Sequence, residues 1–402
     1  MSNSHLQHYF CGVMDSRQSI LFLIGGLDSG GVSKSILSLL NVIDRRKYKV
    51  SLLIGNTRGL FNDSVPEGVE VLSSDVMTAL TSGVHGLGWL LRHGHVWLCL
   101  ALLFKLAVGM VDKGRGGWLL AHLMPMVTRE EYDLIVDYNG QHQLYYMIDR
   151  LKGHHKVTFF HSDYRCWPYY KSMDRRYFGL VEAVFTINPV SLDALKEVFP
   201  EHADKMRLME NICSPTVINK LAEGTTEEQR THRYLLLTVG IVWKNKGSDL
   251  ALEATRLLKE RGVDFEWWFV GRVGSDLPYR QLIEKYGLSE QVKLLGERAN
   301  PYPYFRQADV VVHLSRFEGK SIVLDEAKLL EKPVVVTRFS TVGDQFEDGV
   351  NATICDFDIP QIANAIEDLL TNTELRSRYC SYLHEHIADN SSEVNKIYEL
   401  LK

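Results

Sequence analysis

Ten short apolar or β-branched runs alternate with amphipathic helical segments along the chain, and this alternation leaves few folds open. The runs are Ile20–Ile24, Lys49–Ile54, Leu134–Asp137, Lys156–Phe160 and Ala183–Ile187, then Leu235–Val239, Glu266–Val270, Val292–Leu295, Val310–Leu314 and Pro333–Thr337. Near-continuous apolar strands separated by helices are the pattern of parallel sheets covered on both faces. Between the two groups of five lies Cys213–Arg233, with Pro215, Gly224 and a polar run, the composition of an interdomain linker. The predicted fold class is α/β, two doubly wound parallel sheets facing across a cleft. The predicted domains are 1–214 and 215–389, with a last helix at about 390–402 possible as a return onto the first. Ligands of doubly wound sheets sit outside the carboxyl ends of the strands, so the chemistry is sought at strand ends along that cleft.

Composition narrows the function classes. The chain has 402 residues, of which 45% are hydrophobic and 24% charged, and a net charge of −5, so it is globular and no half is basic enough to be built for nucleic acid. Its six cysteines, Cys11, Cys99, Cys166, Cys213, Cys355 and Cys380, form no C-x-x-C pair and stand at no metal-ligand spacing from a histidine. A reducing cytoplasm and no structural zinc are expected. The Ile20–Leu27 run is short for a signal peptide and reads as a buried strand. Gly86–Val111 is rich in Leu, Trp and Val, but Arg92, His93, His95 and Lys105 interrupt it, leaving uncharged runs short of the ~20 residues a spanning helix needs.

Two loops carry candidate chemistry. After the first strand, Gly25-Gly26-Leu27-Asp28-Ser29-Gly30-Gly31 runs straight into a helical pattern, where glycines let backbone amides approach an anion at the helix start. The loop fits neither the G-x-G-x-x-G fingerprint nor G-x-x-x-x-G-K, and a plain tight turn is the competing reading. Between the strand Val310–Leu314 and the strand Pro333–Thr337, Glu318 and Glu326 form E-x7-E, with Gly319 permitting close approach and Ser321 placed to cap the next helix. A carboxylate at Glu326 can accept two hydrogen bonds from vicinal hydroxyls; the competing reading is a surface glutamate favouring the helix dipole. His161, after Lys156–Phe160, is by itself more often a structural histidine than a site residue. For Cys166, Trp167, Tyr164, Tyr169 and Tyr170 aromatic packing is the plainer reading.

Leu235–Cys355 resembles the nucleotide-sugar domain of the family 4 glycosyltransferases, retaining enzymes of the GT-B fold. The resemblance is carried by GIVWKNKG (240–247), FVGRVG (269–274), VKLLGERANPYPY (292–304), SRFEGKSIVLDEA (315–327), KPVVVT (332–337) and DGVN (348–351). Gly25–Val32, FHSDY (160–164) and MENI (209–212) extend it into the first half. Phe317–Leu330 with Thr341–Gln345 is most similar to enzymes that assemble bacterial capsular and surface polysaccharides.

The resemblance implies catalytic roles for Glu318, which would hold the transferred sugar, and His161, beside that sugar. It implies donor binding by Glu326 at the ribose, by Lys246 at the diphosphate, by the amides of Gly30 and Gly31, and by Gly319, Lys320 and Ser321. The family's arginine after the strand glycine is Ile241 here, and Lys244 or Arg272 is the substitute to test. Asp163 and Tyr164 are acceptor-side candidates. The implied reaction moves a hexosyl residue from a nucleotide diphosphate sugar, a UDP-sugar first, to a growing lipid-linked bacterial glycan, with no cofactor and no metal. An epimerase on the same fold and a catalytically silent nucleotide-sugar-binding subunit are the alternatives. Residues 86–126 fit either a helix pair in an anionic membrane interface, on the inner face of the plasma membrane, or an ordinary hairpin on the first core.

Overall fold

The structure is a computed structural model that describes residues 17–402 apart from Ser29, Trp167 and Ala388. Cys11 and Trp167, read above from sequence, lie outside the described residues. Two parallel sheets form the chain. The first holds β1 (Gln18–Gly26), β2 (Tyr48–Asn56), β3 (Val69–Leu72), β4 (Glu131–Asp137), β5 (Lys152–Phe160), β6 (Ala183–Thr186) and β7 (Met206–Leu208) in the order β3-β2-β1-β4-β5-β6-β7. The second holds β8 (Tyr234–Val239), β9 (Phe265–Val270), β10 (Val292–Gly296), β11 (Val310–His313), β12 (Val334–Thr337) and β13 (Thr353–Cys355) in the order β10-β9-β8-β11-β12-β13.

The unbroken apolar runs follow from burial on both faces. In β1, Leu21 and Leu23 enter one core layer while Ile20, Phe22 and Ile24 enter the other. In β8, Leu236 faces one layer, and Leu235, Leu237 and Val239 the other. All ten sequence-predicted strands are present. The three additional ones, β3, β7 and β13, are sheet edges of three or four residues.

Where a linker was expected, a helix, Pro215–Ala222, buries Ile218 and Ala222 in the second domain's core beside Cys213. The second domain's last long helix, Thr373–Glu385, packs there through Leu383. The chain then returns: Val394, Ile397, Leu400 and Leu401 are buried in the first domain's core with Met209 and Ile212. Asn390 laces the two crossings together, its Oδ1 accepting from the Cys213 amide at 2.9 Å and its Nδ2 donating to the Asn211 carbonyl at 2.9 Å.

Candidate functional site

A cleft of about 340 Å³ opens where the carboxyl ends of the two sheets face one another. That size falls in the range of small-molecule sites. It is walled by Gly30, Gly31 and His161 from the first domain and by Lys246, Glu318 and Ser321 from the second.

On the second domain, Lys246 ends a short turn, Lys244–Lys246, that is held against β11 by Gly247. Gly247 has φ +72°, and a Cβ there would lie 2.0 Å from the Leu314 carbonyl oxygen, so only glycine allows this approach. Arg316 fastens the same turn by donating its amide to the Asn245 carbonyl at 2.9 Å and its guanidinium to the Lys244 carbonyl, and it grips the following helix, Ser248–Glu260, through two 2.8 Å bonds to the Asp249 carboxylate. The Glu318 Oε1 thereby collects three donors: Lys246 Nζ at 2.6 Å, Ser315 Oγ at 2.6 Å and His313 Nε2 at 2.9 Å. Burial alone would raise the Glu318 carboxyl, but His313 and Lys246 outweigh it and bring it down to about 2. Glu318 is an ionised, pre-oriented carboxylate that accepts hydrogen bonds and holds no proton to donate.

Glu326 is buried within the helix Ile322–Leu329. Tyr302 donates its hydroxyl to Glu326 Oε1 at 2.9 Å, and burial with the adjacent Glu326 charge pushes that phenol well above its usual range. From across the cleft, Lys34 places Nζ 2.8 and 2.9 Å from the two Glu326 oxygens. A second cross-cleft pair joins Lys320 Nζ to Glu210 Oε2 at 2.7 Å. The Glu326 carboxylate is thus already engaged by the first domain, a contact no sequence pattern announced. Lys34 is in the first turn of the helix Gly31–Val42, whose start is formed by Gly30 and Gly31. A Cβ at Gly30 would meet nothing within 4 Å, while one at Gly31 would lie 3.2 Å from Ile322 Cδ1. Gly30 faces open cleft, and Gly31 abuts the other domain.

His161 Nε2 lies 2.9 Å from the Tyr138 carbonyl oxygen, which can only accept, so this nitrogen carries the proton. Its Nδ1 is buried without a partner, and burial lowers the imidazole to about 4. The ring is a neutral acceptor on the cleft wall. Beyond the end of β6, Asn188 uses Oδ1 to cap the helix Pro189–Val198 and keeps a buried, unpartnered Nδ2, 3.6 Å from the Cβ position of Gly319. Asn188 and His313 were not foreseen; the only signal was their position at or just beyond a strand end.

Three expectations need correction. Ser321 occupies the cap position but makes no side-chain cap, and its amide donates to Gln345 Oε1 at 3.0 Å, which removes it as an anion donor. Tyr164 is wholly buried between Phe160 and Phe199, with its hydroxyl donated to Asp174 at 2.7 Å, and faces no acceptor. Asp163 is spent on Arg165, whose hydrogen bond lowers its carboxyl, and is not on the cleft wall. Of the two substitutes for the missing arginine, Arg272 lines the cleft and Lys244 does not. Among the described residues no group of three or more His, Cys, Asp or Glu is gathered as metal ligands would be.

Residues 225–385 match the model of the family described as glycosyl transferases group 1. Alpha-D-kanosaminyltransferase of Streptomyces kanamyceticus is 25% identical over 52% of this chain and 57% of its own length. Lipopolysaccharide glucosyltransferase WaaG of Escherichia coli is 29% identical over 45% of this chain and 47% of its own. The chain therefore spans only about half the length of these sequence relatives. Whole-chain similarity is seen in three dimensions: HepE of Anabaena, solved with UDP-glucose, superposes with a TM-score of 0.64 at 18% identity, covering 96% of this chain and 99% of that one. The crystal structure of WaaG gives 0.62 at 18% identity over 95% and 99%. Two parallel α/β sheets in this arrangement are the GT-B fold, and within it residues 225–385, in the second domain, match the group 1 glycosyltransferases.

Proposed function

We propose that this protein transfers a hexosyl residue, with retention, from a nucleotide diphosphate sugar, a UDP-sugar first, to a growing lipid-linked glycan of a bacterial surface. The observation that carries the reading is the pair Glu318, half-buried on the cleft wall, and Glu326, buried behind that wall beneath Lys34, which lines it. Glu326 receives a ribose diol in place of Lys34, which holds both of its oxygens in this structure, while Glu318, ionised and held by Lys246, His313 and Ser315, meets the hydroxyls of the transferred sugar or the positive charge developing at its anomeric carbon. Lys246, Arg272 and the open Gly30 amide offset the leaving diphosphate's charge. His161 Nδ1 accepts from a sugar hydroxyl. No step calls for a metal.

The acceptor side of this reading rests on the helix Val96–Val111. Its inner face, Cys99 and Leu102, is buried, but Val96, Trp97, Leu100, Leu103, Phe104, Met110 and Val111 are exposed, Trp97 by 75% and Val111 by 92%. The neighbouring helix Lys113–Leu123 packs inward through Leu120 and Ala121, and Gly116 approaches Gly109 too closely for a Cβ. Arg92, Lys113 and Arg115 are exposed beside the open stripe, whereas Lys105 is half-buried. No acidic residue occurs from 76 to 111. An apolar stripe flanked by exposed cations complements an anionic lipid surface, and we take that surface as its occupant and the carrier of the acceptor. No helix among the described residues is long and apolar enough to cross a membrane, so the contact is peripheral.

Thermal stabilisation against UDP-, GDP-, ADP- and dTDP-sugars, with Glu326→Ala as control, tests the donor reading. A ligand at about a hundred times its dissociation constant adds about 2.7 kcal/mol. Stabilisation by one nucleotide class, lost in the variant, is expected; stabilisation by none overturns it.

A further inference from the structure

Five lysines and arginines line the cleft among the described residues: Lys34, Lys246, Arg272, Arg298 and Lys320. Four already hold a carboxylate, in the pairs Lys34–Glu326, Lys246–Glu318, Arg298–Glu228 and Lys320–Glu210, at 2.6–2.8 Å. Arg272 alone has no ion pair, side-chain hydrogen bond or ring contact among the described residues, and it is exposed. An anion entering the cleft takes up this charge without breaking an existing pair, whereas each of the other four would first have to share or release its carboxylate.

The backbone fixes where that charge stands. β8 and β9 pair in parallel as far as Val239 and Val270, and pairing resumes at Val242 and Val273. Ile241 and Arg272 therefore share one register position, side by side past the two strand ends, and both line the cleft. The approach of the two chains is extreme: Gly271 has φ +156°, and a Cβ there would lie 1.9 Å from the Gly240 carbonyl oxygen. The Val242 amide donates to the Arg272 carbonyl at 2.9 Å, and the Gly274 amide to the Val242 carbonyl at 2.9 Å, so the backbone carrying Arg272 is anchored on both sides.

We propose that Arg272 is the residue that clamps the donor's diphosphate, reaching from the end of β9 into the space that the apolar Ile241 leaves without charge. A guanidinium suits the task, since its fork gives two parallel bonds to phosphate oxygens where an ammonium gives a point charge. The inference rests on the cleft being a nucleotide-sugar site. Isothermal titration of UDP, GDP, ADP and dTDP, each beside its free nucleoside, tests it on the wild type, Arg272→Ala, Arg272→Lys and the double variant Arg272→Ala with Ile241→Arg. The expected result is that Arg272→Ala weakens the cognate diphosphate about ten- to a hundredfold and leaves the nucleoside unchanged. Arg272→Lys recovers part of the loss, and Ile241→Arg recovers more, because it restores the fork one strand away. Wild-type diphosphate affinity in Arg272→Ala, or equal loss for diphosphate and nucleoside, overturns the assignment of Arg272 while leaving the donor reading in place. A wild-type protein that binds none of the four diphosphates overturns the donor reading and this one with it.

Discussion

Replacing Lys34 by Met tests whether the closed cleft is held by buried charge. The substitution leaves the Glu326 carboxylate, 1% exposed, with the Tyr302 hydroxyl as its remaining side-chain partner. Removing one member of a buried pair typically costs about 3–5 kcal/mol, because the other is left charged and unsolvated. Lys34 itself keeps 15% of its side-chain surface, which places the expectation at the lower end, about 3 kcal/mol. With an unfolding entropy of about 2.1 cal/mol/K per residue, a chain of 402 residues loses about 1.2 °C of Tm per kcal/mol, so Tm should fall by about 4 °C. The assay is scanning calorimetry of the wild type, Lys34→Met, Glu326→Gln and the double variant. Removing both charges should restore most of the loss, giving a coupling energy of about 2 kcal/mol or more. A Lys34→Met Tm within about 1 °C of wild type, or losses that add within about 0.5 kcal/mol, would show that the two domains stand apart in solution and that the bridge carries no weight.

Three other outcomes follow from the geometry. Asp137 is fully buried, and burial pushes its carboxyl up to about 7 despite bonds from Thr158 and the Asn139 and Gly140 amides. The folded chain therefore holds this proton where the unfolded chain has lost it; stability falls as pH rises from the ordinary carboxylate range to about 7, and Asp137→Asn should flatten the Tm profile above pH 6, Asp174, raised to about 6, accounting for the lower part. Glu318→Gln should lower kcat far more than donor affinity, and Glu326→Gln should mainly weaken nucleotide binding; equal effects on both parameters in both variants refute the division of roles. Co-flotation with vesicles of equimolar phosphatidylglycerol and phosphatidylcholine should be lost in Trp97→Glu with Phe104→Glu and weakened when Arg92, Lys113 and Arg115 are neutralised. Wild-type protein that stays in solution as a dimer would assign the stripe to a second copy instead.

The strands legible in sequence are those buried on both faces, because double burial demands unbroken apolar runs such as ILFLI in β1 and VVVH in β11. β3 reads VEVL and is partly exposed along its length, and β7 and β13 have three residues each; an edge strand owes its place to a neighbour's backbone, which leaves no pattern. The site divides in the same way. Glu318 and the Gly30–Gly31 turn are local features of strand-to-helix loops, Lys246 was named through the resemblance, and all of them line the cleft. Lys34 against Glu326 is a contact 292 residues apart, fixed by the packing of two domains. Tyr164 was misplaced for a related reason: nothing in FHSDY says that its phenol turns inward to Asp174 rather than outward to the cleft.

The two crossings between the domains lie together, one between Ile212 and Cys213 and the other between Leu383 and Val394, bound to each other by Asn390. Two adjacent threads act as the spine of a book. They leave the sheets free to swing about a single line and resist twisting or sliding of one sheet across the other. On the proposed function, cleft groups aligned when the covers meet would return to register after each opening, and release of a spent nucleotide would leave the geometry of the site recoverable.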